Sequence, residues 1–185
     1  MEIEDCAFPL VESVKLSTSP KDAFTDCDVG ILIASYPHRP GMERSELISK
    51  NNDIFKELAE NINEHAHPNV KIVVVANPVN SLLTLLAHYA NKIPKKNFTG
   101  LSRLDYNRAR YLLAKTCKTT TDKIKDLIVW GNHSDNQFPD VFHCKIEGKP
   151  IQELFSFNPD WLHTTYVDSI ANRWKKIIEY TGGTR

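Results

Sequence analysis

Several things are missing from this chain, and each absence removes a class of protein. No apolar run approaches the roughly 18 residues that cross a bilayer as a helix. The N-terminus, Met1-Glu2-Ile3-Glu4-Asp5, carries acids where a secretory leader is basic. The sequence is therefore read as cytoplasmic, with no membrane association. An excess of either charge is missing too, since 23 Lys and Arg offset 23 Asp and Glu. Nucleic acid is not expected as a partner, because its recognition starts from a basic excess. Cysteine is sparse: Cys6, Cys27, Cys117 and Cys144 stand far apart with no C-x-x-C. They fit free thiols of a reducing compartment, and no metal site is expected. Of seven glycines none falls in a G-x-G-x-x-G pattern, so no phosphate-cradling turn is encoded here. No repeat or low-complexity tract is present. The 41% hydrophobic content is that of a globular chain and excludes disorder. At 185 residues, one domain or one and a fraction is expected.

What is present is an alternation of β-rich and helical stretches. Residues 29–35 (VGILIAS) and 70–76 (VKIVVVA) are nearly continuous apolar runs. Such runs suit strands of a parallel sheet covered on both faces. Between them, residues 43–64 read as a helix carrying Leu47, Ile48, Ile54, Leu58 and Ile62 at three- and four-residue steps. Strand, helix and strand make a βαβ unit. Helices are predicted over 79–90 and 103–117, and strands over 97–101, 127–130 and 141–146. A last helix is predicted from an Asn158 cap and Pro159 to Gly182-Gly183, with an apolar stripe of Trp161, Leu162, Tyr166, Ile170, Trp174, Ile177 and Ile178.

Three short motifs carry chemistry beyond packing. Asn77-Pro78-Val79-Asn80 directly follows a predicted strand, where open parallel sheets bind ligands. Asp105 and Arg108, in Arg103-Leu104-Asp105-Tyr106-Asn107-Arg108, share one helix face. His133, in Trp130-Gly131-Asn132-His133-Ser134, stands at a strand end and can trade a proton near neutrality. Each alone has a plainer reading: a turn, a solvated ion pair, a loop histidine.

Together with Pro37-His38-Arg39-Pro40-Gly41-Met42-Glu43-Arg44, and in this order, the motifs resemble the lactate/malate dehydrogenase family. The likeness is greatest to its cytosolic-type malate dehydrogenases and runs along essentially the whole chain. It implies an α/β fold: a partial Rossmann-type parallel sheet, followed by the start of an α+β catalytic lobe. Residues 1–101 would be the later part of an NAD-binding domain, and 102–185 the first part of the catalytic domain. It also implies hydride transfer between NAD and malate or oxaloacetate. His133 would exchange the proton, with Asp105 orienting it. Arg108, Arg44 and Asn77 would bind substrate, with His38 or Arg39 at the distal carboxylate. Asn51, Val75, Ala76 and Asn77 would touch the cofactor. Segment 37–46 would close over the substrate. A small dicarboxylate and a protein partner, another copy or a different chain, are the expected partners.

The sequence also departs from the family's pattern. A member opens with a strand, a Gly-rich turn and a helix, and continues past the equivalent of Arg185; the chain is expected to be truncated at both ends. His38 stands where malate dehydrogenases place an arginine. The alternative expectation is a catalytically silent paralogue or isoform acting as an interaction or structural protein.

Overall fold

The structure is a computed structural model that describes residues 2–36, 44–154 and 159–182. The chain divides into two compact units, residues 1–77 with 81–99, and residues 78–80 with 100–185.

The first unit holds helices α1 (Glu2–Asp5), α2 (Pro20–Phe24), α3 (Arg44–His65) and most of α4 (Val79–Tyr89). They accompany strands β1 (Val29–Leu32), β2 (Lys71–Val74) and β3 (Phe98–Gly100), ordered β1-β2-β3 in one sheet. β1 and β2 are parallel, with Val29 opposite Lys71 and Leu32 opposite Val74. The ladder continues one residue past β2 through Val75 N–H to Leu32 C=O at 2.8 Å. β-branched side chains favour these extended segments, and the intervening α3 makes the crossover that a parallel pair requires.

α3 forms over the predicted stretch, but its buried stripe is Leu47, Asn51, Phe55, Ala59 and Ile62. Ile48, Ile54 and Leu58 flank it, only half-buried. Steps of four and three residues keep the stripe on one face. α4 buries Val79, Leu82 and Leu86. On β1, Gly30 and Leu32 face inward, and a Cβ on Gly30 would stand 2.9 Å from Ile72 Cδ1. The other face is not covered, contrary to the reading of that run as buried on both sides. Val29, Ile31 and Ile33 are 56%, 61% and 70% exposed. Among the described residues no element packs over them.

The second unit starts with α5 (Arg103–Thr116). Strands β4 (Ile124–Lys125), β5 (Ile128–Trp130), β6 (Phe138–Asp140), β7 (Lys145–Ile146) and β8 (Lys149–Pro150) follow. β5 and β6 form an antiparallel pair; β4, β7 and β8 form a second antiparallel sheet. The β7–β8 turn is Glu147-Gly148, both at positive φ, which matches the twist of the strands it joins. The strand expected over 141–146 is corrected: only Lys145–Ile146 pair there. Phe142 N–H is bound by the Asp140 carboxylate at 2.9 Å and Cys144 N–H by Val141 C=O at 2.9 Å. These local bonds turn the chain and leave no ladder.

Helices α6 (Ile151–Leu154), α7 (Pro159–Trp161), α8 (Val167–Ala171) and α9 (Arg173–Thr181) complete the unit. The single last helix of the sequence reading is interrupted twice. Leu162–Tyr166 is π-helical, and Asn172, with ψ near 10°, separates α8 from α9. Asn is a weak helix former, and its side chain here donates to Asp168 at 2.6 Å. Gly182 stops α9 in the left-handed region as expected; Asn158 and Gly183 lie outside the described residues. The stripe divides accordingly. Leu162, Tyr166 and Ile170 are buried, whereas Trp174 and Ile177 are exposed, as is Tyr180 beyond the stripe.

The second core gathers Ala109 and Leu113 from α5 with Ile124, Leu127, Val141, Cys144, Ile146, Ile151, Leu162, Tyr166 and Ile170. Burial pushes the Cys144 thiol up to about 11, so it stays protonated and inert. Tyr166 donates its hydroxyl to Ala109 C=O at 3.1 Å, pinning the π-helical turn on α5. Leu113→Ala should destabilise this unit by about 2–5 kcal/mol. Tyr166→Phe should cost only about 0.5–1.5 kcal/mol, since it removes one hydrogen bond and keeps the ring. Urea unfolding of both variants measures the difference.

Candidate active site

Asp105 lies in the first turn of α5 and is 1% exposed. A carboxylate this dry needs partners, because an unpaired buried charge is costly. It has two. Arg108, one turn on, brings Nη1 to Oδ1 at 3.2 Å, and His133 brings Nδ1 to Oδ2 within hydrogen-bond reach. The two motifs, separated by 28 residues in sequence, thus meet on one carboxylate. The His133 side chain is 28% exposed and that of Arg108 19%.

The carboxylate also sets the histidine's titration. Its hydrogen bond to the ring raises the His133 pKa above 6.5, assisted by its charge; partial burial and the Arg108 charge oppose this. With Nδ1 turned to Asp105, Nδ1 carries the proton in the neutral ring and Nε2 is the nitrogen left to gain or lose one.

His133 sits in the loop after β5. Gly131 makes the bend at φ +90°, and a Cβ on it would stand 3.2 Å from Asn136 C=O. Ser134 N–H returns to Asn132 C=O at 2.8 Å, so His133 is the middle residue of a three-residue turn. Asn80 Nδ2 donates to Asn132 Oδ1 at 2.6 Å, and Gln137 Nε2 to Ser134 C=O at 3.0 Å. Asn80 and Asn132 stood inside the sequence motifs, but nothing in the sequence linked them, and Gln137 gave no signal at all. A second pair, Asp140 with His143 at 3.3 Å, reaches the surface, with the His143 side chain exposed. Despite its burial Asp140 is held below the usual carboxylate range, by hydrogen bonds from Trp130 Nε1, Phe142 N–H and His143.

In the first unit, Val75, Ala76 and Asn77 follow β2; Ala76 is buried and Asn77 exposed. Asn51 is completely buried on α3. Its Oδ1 accepts Tyr36 N–H at 2.7 Å and its amide donates to Leu47 C=O at 2.8 Å. The side chain thereby ties the segment after β1 to the helix. Arg44 opens α3. His38 and Arg39 lie outside the described residues, as does the Arg44 side chain. Among the described residues no group of three or more His, Cys, Asp or Glu is placed to hold a metal, and no helix is long and apolar enough to cross a membrane.

Two family models span this arrangement. Residues 1–100 match the lactate/malate dehydrogenase NAD binding domain, and residues 102–184 the alpha/beta C-terminal domain of the same enzymes. The chain belongs to the lactate/malate dehydrogenase family. A cytoplasmic malate dehydrogenase of Taenia solium is 40% identical over 182 residues, covering 96% of this chain and 54% of that protein. Malate dehydrogenase from Naegleria fowleri superposes with a TM-score of 0.88 at 32% identity, over 100% of this chain and 56% of that one. Trichomonas vaginalis lactate dehydrogenase in complex with NADH and oxamate gives 0.87 at 36% identity, with the same coverage. The chain spans about half the length of the curated relatives it matches.

The His133–Asp105 bond has a pH signature in stability. The folded pKa of His133 is raised, so the bond's contribution is fully present below the unfolded value near 6.5 and is lost as pH rises through the folded value. The gap in unfolding free energy between the parent and Asp105→Asn should therefore be wider at pH 6 than at pH 9. Denaturant titrations at a series of pH values measure it; a gap that widens with pH would contradict the assignment.

Proposed function

We propose that this chain carries the proton-transfer and carboxylate-binding residues of an NAD-dependent malate dehydrogenase. The observation that supports the reading is the buried Asp105 carboxylate, shared by His133 and Arg108. In this reading His133 Nε2 gives a proton to the C2 oxygen of oxaloacetate as it is reduced, and takes it back from malate. Asp105 holds the ring in the Nδ1–H tautomer and stabilises the imidazolium. Arg108 spends one donor on Asp105, and its guanidinium fork has further N–H groups for the substrate's 1-carboxylate. Arg44 polarises the carbonyl against developing negative charge. His38 or Arg39 meets the distal carboxylate, and Asn77 contacts the substrate. Val75, Ala76 and Asn77 line the cofactor's approach, with Asn51 holding the segment beside them. Residues 1–101 and 102–185 are the cofactor and catalytic parts, and the working protein is a cytoplasmic homo-oligomer or has another protein as partner.

A bound nicotinamide would supply the hydride to C2 as NADH or accept it from C2 as NAD. Among the described residues no turn is shaped to hold the dinucleotide's pyrophosphate. Among the described residues the glycines at positive φ, Gly131, Gly148 and Gly182, all lie in the second unit, and Gly30 is packed against Ile72. None forms a pyrophosphate cradle at a strand–helix turn of the first unit. The uncovered face of β1 and the exposed Trp174, Ile177 and Tyr180 favour a second reading, that of an interaction protein without turnover.

Fluorescence titration of the 185-residue chain with NADH should give binding weaker than micromolar; micromolar affinity would reveal a phosphate site elsewhere in the chain. In a catalytically competent form, Asp105→Asn should lower the turnover of oxaloacetate by roughly 10²–10⁴-fold, the range of positioned acid–base groups. Steady-state assays with NADH test this, and unchanged turnover would favour the interaction protein.

A further inference from the structure

We propose that Asn80 and Gln137 are positioning residues for His133, gripping the loop on either side of the histidine so that its ring meets Asp105. The proposal rests on the proton-relay reading above.

His133 is the middle residue of a three-residue turn closed by Ser134 N–H on Asn132 C=O. Such a turn has one hydrogen bond and no ladder, so by itself it orients a side chain poorly. Its two ends are each held by a side-chain amide. Before the histidine, Asn132 Oδ1 takes Asn80 Nδ2 at 2.6 Å. After it, Ser134 C=O takes both the backbone N–H of Gln137 at 3.2 Å and its Nε2 at 3.0 Å.

The two grips differ in kind. Gln137 is 3% exposed, so water cannot readily replace its bond to Ser134. Its Oε1 is buried with no hydrogen-bond partner. A buried glutamine retained with one end unsatisfied is costly for packing alone, because an apolar side chain of similar length would avoid that penalty. The donor end is what the loop uses. Asn80 is exposed and works from outside the loop, in the first turn of α4, three residues after Asn77. Asn80 therefore fixes the residue next to His133. Proton transfer is sensitive to such placement, since a displacement of about 1 Å can cost about 10²-fold in rate.

The test uses the 185-residue chain labelled with ¹⁵N. The His133 ring is followed by NMR through a pH titration in the parent, Asn80→Ala, Gln137→Met and Asp105→Asn, with thermal melts alongside. The charged groups bearing on the ring are Asp105 and Arg108, both on α5 and unaltered in the two loop variants. Asp105→Asn should lower the His133 pKa toward 6.5. Asn80→Ala and Gln137→Met should each lower it by less and reduce the Nδ1–H fraction of the neutral ring. If Asp105→Asn lowers the pKa but both loop variants titrate like the parent with the parent's tautomer ratio, the proposal is overturned, whatever their melting temperatures. A shift in only one loop variant retains that residue and removes the other. If Gln137→Met does not fold, Asn80→Ala decides alone, as it removes only an exposed hydrogen bond. If Asp105→Asn leaves the titration unchanged, the relay reading itself fails and the proposal falls with it.

Discussion

Asp105 places a negative charge where almost no water reaches it, and the second unit is arranged around that constraint. An ionised carboxylate removed from water must be compensated by cations or hydrogen-bond donors. Arg108 comes cheaply, because the i,i+3 spacing of α5 puts both residues on one face. His133 comes from the loop after β5 and depends on tertiary folding. The carboxylate in turn raises the basicity of the histidine, so one buried group both anchors the loop and sets the ring's titration.

The same constraint explains the elaborate loop around His133. Gly131 bends at a positive φ with Asn136 C=O close by, a three-residue turn carries the histidine, and side-chain amides hold both neighbours. Behind it, Tyr166 bonds to Ala109 on the helix that carries Asp105 and Arg108. The π-helical turn at Leu162–Tyr166 has a packing purpose in this light: it presents Tyr166 to α5. Support for the Asp105–His133 pair thus extends from the contacting residues into the core.

The first unit presents the complementary case. Its β1–β2 pair and α3 form a sound βαβ element with a buried stripe, yet one face of β1 is bare. Among the described residues the sheet ends at β1. Asn51 shows how a polar residue can be required inside such an element. It spends its carbonyl and its amide on the backbone and fixes the chain as it leaves β1.

Periodicity alone located β1, α3, β2, α4 and α5, because each is long or apolar enough for local preference and burial to agree. The ordered motifs pointed to the family and to Asp105, Arg108 and His133. Local pattern did not settle which stripe of α3 turns inward, since Asn51 counts as polar until its two backbone bonds are seen. Nor did it show that 141–144 turns away from a ladder, where the Asp140 carboxylate outcompetes strand pairing. The split last helix was hidden too, because the packing of Tyr166 against α5 and the bond of Asn172 to Asp168 override an unbroken apolar stripe. Asn80 and Gln137 were beyond the reach of sequence for one physical reason. Their partners, Asn132 and Ser134, are chosen by where the folded chain places a loop, and hydrogen bonds between distant residues leave no periodicity to read.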